Sequence, residues 1–132
     1  MRANRSIPNA TVIPELPCED VSATAAWLGE AFGLGVRLRI GDHRIQMNVG
    51  DGAVVLVDSG VGPGRVLVRV EDVDAHHERA RAAGARILAA PGDHAYGERQ
   101  YSAEDPAGHR WTFSQTIADV DPGEWGGEVG EG

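Results

Sequence analysis

The residues best suited to chemistry lie between Tyr96 and Ser114, in the run Tyr-Gly-Glu-Arg-Gln-Tyr-Ser-Ala-Glu-Asp-Pro-Ala-Gly-His-Arg-Trp-Thr-Phe-Ser. Asp105-Pro106-Ala107-Gly108 has the order of a tight turn, with proline fixing φ and glycine free to take a positive one, so the stretch reads as a hairpin. Beyond the turn, a period of two puts Trp111 and Phe113 on one side and Arg110, Thr112 and Ser114 on the other. The aromatic side should pack on helices. The other should look into a polar space, offering a guanidinium and hydroxyls as hydrogen-bonding groups. Tyr96, Arg99 and Tyr101 stand on or near the loop from Gly92 to Gly97 and are candidates to close over a ligand.

Covalent and metal chemistry find less support. All 12 basic residues are arginine, which excludes lysine Schiff bases and leaves planar guanidinium groups for any anion contact. Cys18 is the single cysteine, so the chain has no intrachain disulfide and no cysteine-based zinc site, and a reducing cytoplasm is the expected location. His76 and His77 are adjacent on a predicted helix, point about 100° apart and cannot chelate together. His77 falls in line with Val73 and Ala80 and reads as a packed histidine. His43, His94 and His109 lie in or beside turns, where exposure is expected.

The elements that must position these groups fall into a repeating order. Residues 1–9 form a polar leader, and residues 10–16 contain Thr11-Val12-Ile13, suited to a strand with Pro14 and Pro17 near its end. Asp20 precedes an amphipathic helix in which Val21, Ala25, Leu28 and Phe32 recur at three-to-four spacing, with Trp27 expected in the core. Strands over residues 36–40, 44–49 and 53–57 follow. After the glycine-rich stretch of residues 60–64 come a strand at 65–70, a helix at 72–83 stopped by Gly84, a strand at 86–90 leading into a Pro91-Gly92 turn, and the final hairpin. Glu19-Asp20-Val21 before the first helix returns as Glu71-Asp72-Val73 before the second, and Gly33 at the first helix end is answered by Gly84. Two copies of a five-element unit, neither able to bury its face alone, account for this.

The predicted organisation is a leader (1–9), a first βαβββ module (10–60), a linker (61–64), a second βαβββ module (65–116) and an acidic, glycine-rich tail (117–132). The tail holds Asp119, Asp121, Glu124, Glu128 and Glu131 and no base, and so carries much of the net charge of −8. That balance argues against nucleic acid as a partner, and no apolar run approaches membrane-spanning length. Trp125 is either an anchor that docks the tail or part of a disordered segment.

The tandem strand-helix-strand-strand-strand unit, the Asp-Pro-x-Gly turn before the last strand and the Ala-Gly-Ala helix stop resemble the glyoxalase/bleomycin-resistance/extradiol dioxygenase superfamily, also called vicinal oxygen chelate proteins. The resemblance implies an α+β fold in which tandem βαβββ modules form a curled mixed sheet around a cleft, commonly completed by a homodimer. It also implies metal-ligand places on the first and last strand of each module. Here these are held by Ile13, Leu56, Arg65 and Thr112, none suited to a catalytic divalent ion, so no metal and no cofactor are expected.

Taking Thr112 as inward, the period of two adds Arg110 and Ser114, then Arg65, Leu67 and Arg69, Ile13 and Glu15, and Leu56 and Asp58, with Gln46 and Asn48 beside them. Glu15 beside Arg65 reads as an acid/base pair or a neutralising ion pair, the latter favoured. The implied function is metal-independent binding of a small molecule, such as sequestration of an antibiotic or metabolite. The alternative is a metal-dependent lyase, isomerase or dioxygenase with non-standard ligands. A third class is a protein-interaction module working through the tail.

Overall fold

The computed structural model describes residues 3–130; the first two residues of the leader and Glu131 of the tail lie outside the described residues. Asp20 caps the first helix, α1 (Val21–Phe32), by accepting from the Ala23 amide, and Gly33 ends it at a φ of 75°. Asp72 does the same for α2 (Val73–Ala82), accepting from Ala75. The strands are β1 (Glu15–Pro17), β2 (Gly35–Ile40), β3 (Arg44–Val49), β4 (Gly52–Val57), β5 (Arg65–Arg69), β6 (Arg86–Asp93), β7 (Glu98–Glu104) and β8 (Arg110–Thr116). They form two four-stranded sheets of identical order, β1-β4-β3-β2 and β5-β8-β7-β6. In each, the first and last strands of the unit pair in parallel and the others antiparallel. The fold is thus α+β with two mixed sheets, and the sheets do not close into one.

Two boundaries differ from the sequence expectation. The first strand begins at Glu15 rather than Ala10, and Val12, expected within it, is 76% exposed. Pro14 still offers its carbonyl to the Val55 amide, but its missing N–H and Pro17 confine the ladder to three residues. Conversely β6 runs through Pro91 and Gly92 to Asp93, with register shifts after Ile87 and Ala89. It is an edge strand, where proline and bulges are tolerated.

One continuous core joins the halves. Phe32, at the end of α1, meets Phe113 at a ring distance of 4.7 Å and Trp111 at 5.5 Å. Trp27 lies half-buried against Phe32 at the core margin. Arg79 of α2 donates to the carbonyls of Gly29 and Glu30 in the last turn of α1, where a cation complements the helix C-terminus. A Cβ on Gly33 would come within 2.9 Å of that guanidinium. His76 packs on Phe113 at 4.0 Å and bonds the Tyr101 hydroxyl, while the ring of His77 meets Tyr101 edge-on at 5.2 Å.

The turn at Asp105 holds the second half together. One carboxylate oxygen accepts from the amides of Ala107 and His109, and the other accepts from the Trp111 indole at 2.9 Å. His109, expected to be exposed, is fully buried. Its Nδ1 accepts from the Gly64 amide and its Nε2 meets the Pro17 carbonyl, both at 2.6 Å, so the neutral ring carries its proton on Nε2. Its spacing of two from Trp111 and Phe113 places it on the same inward face.

Two outcomes follow. Asp105→Ala strands three donors and should cost about 3 kcal/mol or more in urea unfolding, whereas Asp105→Asn, which keeps one acceptor oxygen, should cost clearly less. Burial holds His76 below the ordinary histidine value, so its share of stability is complete above about pH 6.5 and is lost as pH falls below it. The melting temperature should therefore drop on acidification to about pH 5.5, and His76→Gln should flatten part of that drop.

Candidate functional site

Each sheet buries one face against the helices, and alternation assigns the other face. In the second sheet Val66, Val68, Tyr101, Ala103, Trp111 and Phe113 belong to or pack on the core. Arg65, Leu67 and Arg69 on β5, Gln100 and Ser102 on β7, and Arg110, Thr112 and Ser114 on β8 therefore share the opposite, open face. Arg65 pairs in register with Arg110, Leu67 with Thr112 and Arg69 with Ser114.

The polar groups of this face are already ordered. Tyr96 donates its hydroxyl to Gln100 at 3.1 Å, Gln100 donates to Ser114 at 3.0 Å, and Ser114 donates to Glu98 at 2.7 Å. Hydrogen bonds from Ser114 and Thr116 hold the Glu98 carboxyl below the usual carboxylate range. Ser102 and Thr112 share a bond of 2.8 Å, and Arg110 reaches Ser102 at 3.4 Å. Leu67, 68% exposed, supplies an apolar patch among them. Arg65, Leu67, Tyr96, Gln100, Arg110 and Thr112 together line a hollow of about 370 Å³.

The C-terminal segment borders this hollow. Tyr96 stacks on His94 at 5.1 Å and meets Trp125 at 5.4 Å. The amides of Ile117 and Ala118 donate to the Gly97 carbonyl. Gly97 has a φ of 83°, and a Cβ there would lie 2.3 Å from the Ala118 carbonyl, so only glycine permits this crossing. Trp125 thus anchors the tail through a short 3₁₀ turn, Pro122–Trp125.

Of the sequence-predicted site residues, the structure brings Arg65, Arg69, Tyr96, Arg110 and Thr112 to this face. Tyr101 is corrected: it is 1% exposed and points to the helices, because it alternates with Gln100 and Ser102. Those two are the residues sequence reasoning missed, and a period of two along β7 would have found them. Arg99 also turns to the helix side, where it binds Asp74 at 3.0 Å and Asp93 at 2.9 Å, and so is tied down rather than free to close over a guest.

The first sheet's open face is different. Leu56 is corrected: it is fully buried on the helix side, and Val55, paired with Glu15, takes the open face. The unbroken apolar run of β4, buried on both sides, offered no alternation from which to read this. Glu15 pairs with Arg44 at 2.6 Å, correcting the expected pairing with Arg65. Gln46 is buried beneath the leader, bonded to Arg37 and to the Ser6 carbonyl, while Arg37 also donates to the Arg5 carbonyl. Asn48 is exposed beside Pro8 and Arg37.

Asp58 lies apart from both faces. It borders a hollow of about 730 Å³ at the linker, with Glu19, Asp20, Glu104, Cys18 and Thr24. That hollow is larger than the one beside Tyr96, but Asp20 caps α1 and Glu104 pairs with Arg86 at 3.1 Å. Burial pushes the Cys18 thiol up to about 11, which leaves it protonated and inert at neutral pH.

The register also relocates the metal places expected at Ile13, Leu56, Arg65 and Thr112: Ile13 precedes β1, Leu56 faces the core and Arg65 stands opposite Arg110. Opposite residues on the open faces of the parallel pairs are Glu15 with Val55 and Leu67 with Thr112. One carboxylate already held by arginine, two aliphatic groups and a hydroxyl do not suit a catalytic divalent ion.

A model of the Glyoxalase/Bleomycin resistance protein/Dioxygenase superfamily matches residues 9–113. Among solved structures, TioX from Micromonospora sp. ML1 superposes with a TM-score of 0.72 at 30% identity, covering 85% of this chain and 100% of that one. A glyoxalase/bleomycin resistance protein from Streptomyces sp. CB03234 gives a TM-score of 0.67 at 25% identity, covering 78% and 97%. The uncharacterized protein Mb0911c of Mycobacterium bovis is 31% identical over 93 residues, covering 66% of this chain and 61% of that protein. The matched stretch thus spans about three fifths of that relative's length. With the twin sheets in identical strand order and the match running through both of them, the chain belongs to the Glyoxalase/Bleomycin resistance protein/Dioxygenase superfamily.

Proposed function

We propose that the chain is a metal-independent small-molecule-binding protein whose guest lies on the open face of the second sheet. The observation that carries this reading is the pre-ordered face itself: a half-buried arginine, a chain of hydroxyl and amide groups, and an exposed leucine beside an aromatic edge. Small-molecule sites are built in this way, with apolar contact area and a few placed polar groups. The groups there suit holding rather than reacting, since Glu98 is bound by hydroxyls and Cys18 lies elsewhere. Sequestration of an antibiotic or metabolite in the cytoplasm fits such a site.

The same face supports pairing. Leu67 on β5 and Leu88 on β6 are exposed on this sheet, and the two sheets of one chain do not close around a guest. A second copy that lays a sheet face over this one would complete a cleft and bury those side chains.

A thermal-shift panel of planar aromatic compounds should yield stabilising ligands, recovered at unchanged mass after incubation. Turnover of a bound compound, or a stoichiometric metal whose removal abolishes binding, would overturn the reading. Thr112→Trp should fill the hollow and lower affinity by about tenfold or more while leaving the fold intact. Light scattering should give about twice the 14.0 kDa chain mass; a monomer at high concentration would exclude the pairing.

A further inference from the structure

The open face distributes its charges unevenly. Arg65 and Arg110 are register partners on neighbouring parallel strands, and like charges placed opposite each other destabilise a sheet. Among the described residues neither has a carboxylate within ion-pair distance. Glu104, which stands opposite Arg110 across the β7–β8 pair, goes to Arg86 instead, while Glu98 is held by Ser114 and Asp93 and Asp74 by Arg99. Arg110 is only partly exposed, and its one side-chain partner is the Ser102 hydroxyl at 3.4 Å. A chain of net charge −8 thus keeps two arginines without an ion-pair partner among the described residues, both lining the hollow that Tyr96 also lines.

We infer that the guest of this face is anionic: a flat aromatic molecule bearing a carboxylate, its acid group held by Arg110 and Arg65 and its ring lying towards Leu67 and Tyr96. Guanidinium groups bind carboxylates by paired, charge-assisted hydrogen bonds. Bound carboxylate would also relieve the repulsion between the two arginines, so that binding and stability gain from the same contact. This rests on the proposal that the open face is the ligand site, and it narrows the ligand to one charge class.

The test compares three probes of one shape, 2-naphthoate, 2-naphthamide and 2-naphthylmethylamine, by isothermal titration calorimetry on the full chain. The expected order is acid over amide over amine, with about a tenfold or greater preference for the acid that shrinks as salt is raised. Arg110→Gln and, separately, Arg65→Gln should each reduce naphthoate affinity by several-fold more than naphthamide affinity, narrowing the preference for the acid. Neither side chain enters the core, so both variants should keep the wild-type melting temperature or exceed it. Equal binding of acid and amide would overturn the charge assignment while leaving the face as the site. Absence of binding by all three would remove the site along with it, as would naphthoate binding that both variants leave untouched.

Discussion

The carboxylate of Asp105 is the constraint on which the second half of the molecule depends. It stands at the mouth of a four-residue turn, ties down two turn amides and at the same time fixes the indole of Trp111. The turn therefore sets the angle at which β8 leaves, and the indole sets the depth at which it packs. His109 lies between these bonds and connects the halves through Gly64 and Pro17. A buried histidine with both nitrogens satisfied by backbone is a rigid spacer, since either alternative tautomer or a charged ring would leave a mismatched bond.

That rigidity is transmitted to the open face because β8 has two sides. Trp111 and Phe113 lock the inner side against Phe32 and His76, so Arg110, Thr112 and Ser114 on the outer side have little freedom in position. The hydroxyl and amide chain from Tyr96 to Glu98 runs across β7 and β8 and orders the surface before any guest arrives. Such pre-organisation lowers the entropy cost of binding. On the first sheet the leader instead lies over Gln46 and Arg37, which bond the carbonyls of Ser6 and Arg5. The duplicated halves have thus diverged: one face is covered by its own chain and the other is bare.

Charge follows the same division. Arg44, Arg86 and Arg99 each take a carboxylate, and these exposed pairs contribute little to stability. Their consequence is electrostatic sorting: Arg86 takes Glu104, the acid opposite Arg110, and Arg65 and Arg110 are left without an ion-pair partner among the described residues. A count of charges along the chain suggests an acidic protein with a mixed pocket. Only the pairing reveals which charges remain available.

The elements and their duplication were legible in the amino-acid order because local physics dictates them: capping aspartates at 20 and 72, glycines that stop helices, and a period of two along β8. The same period placed Arg65, Arg69, Arg110 and Thr112 on one face. It fails at Leu56, where a strand buried on both sides has no alternation to read, whereas the inward positions of Tyr101 and His109 follow from it. The partners of Glu15 and Arg99, the burial of Gln46 beneath the leader and the docking of Trp125 on Tyr96 join residues far apart in the chain. Those contacts depend on how sheets and segments come together in space, and no local propensity encodes them. The sequence alone thus determined the two repeated units and the side of each exposed strand, whereas tertiary packing decided which of the two faces stayed open and which arginines on it were left uncompensated.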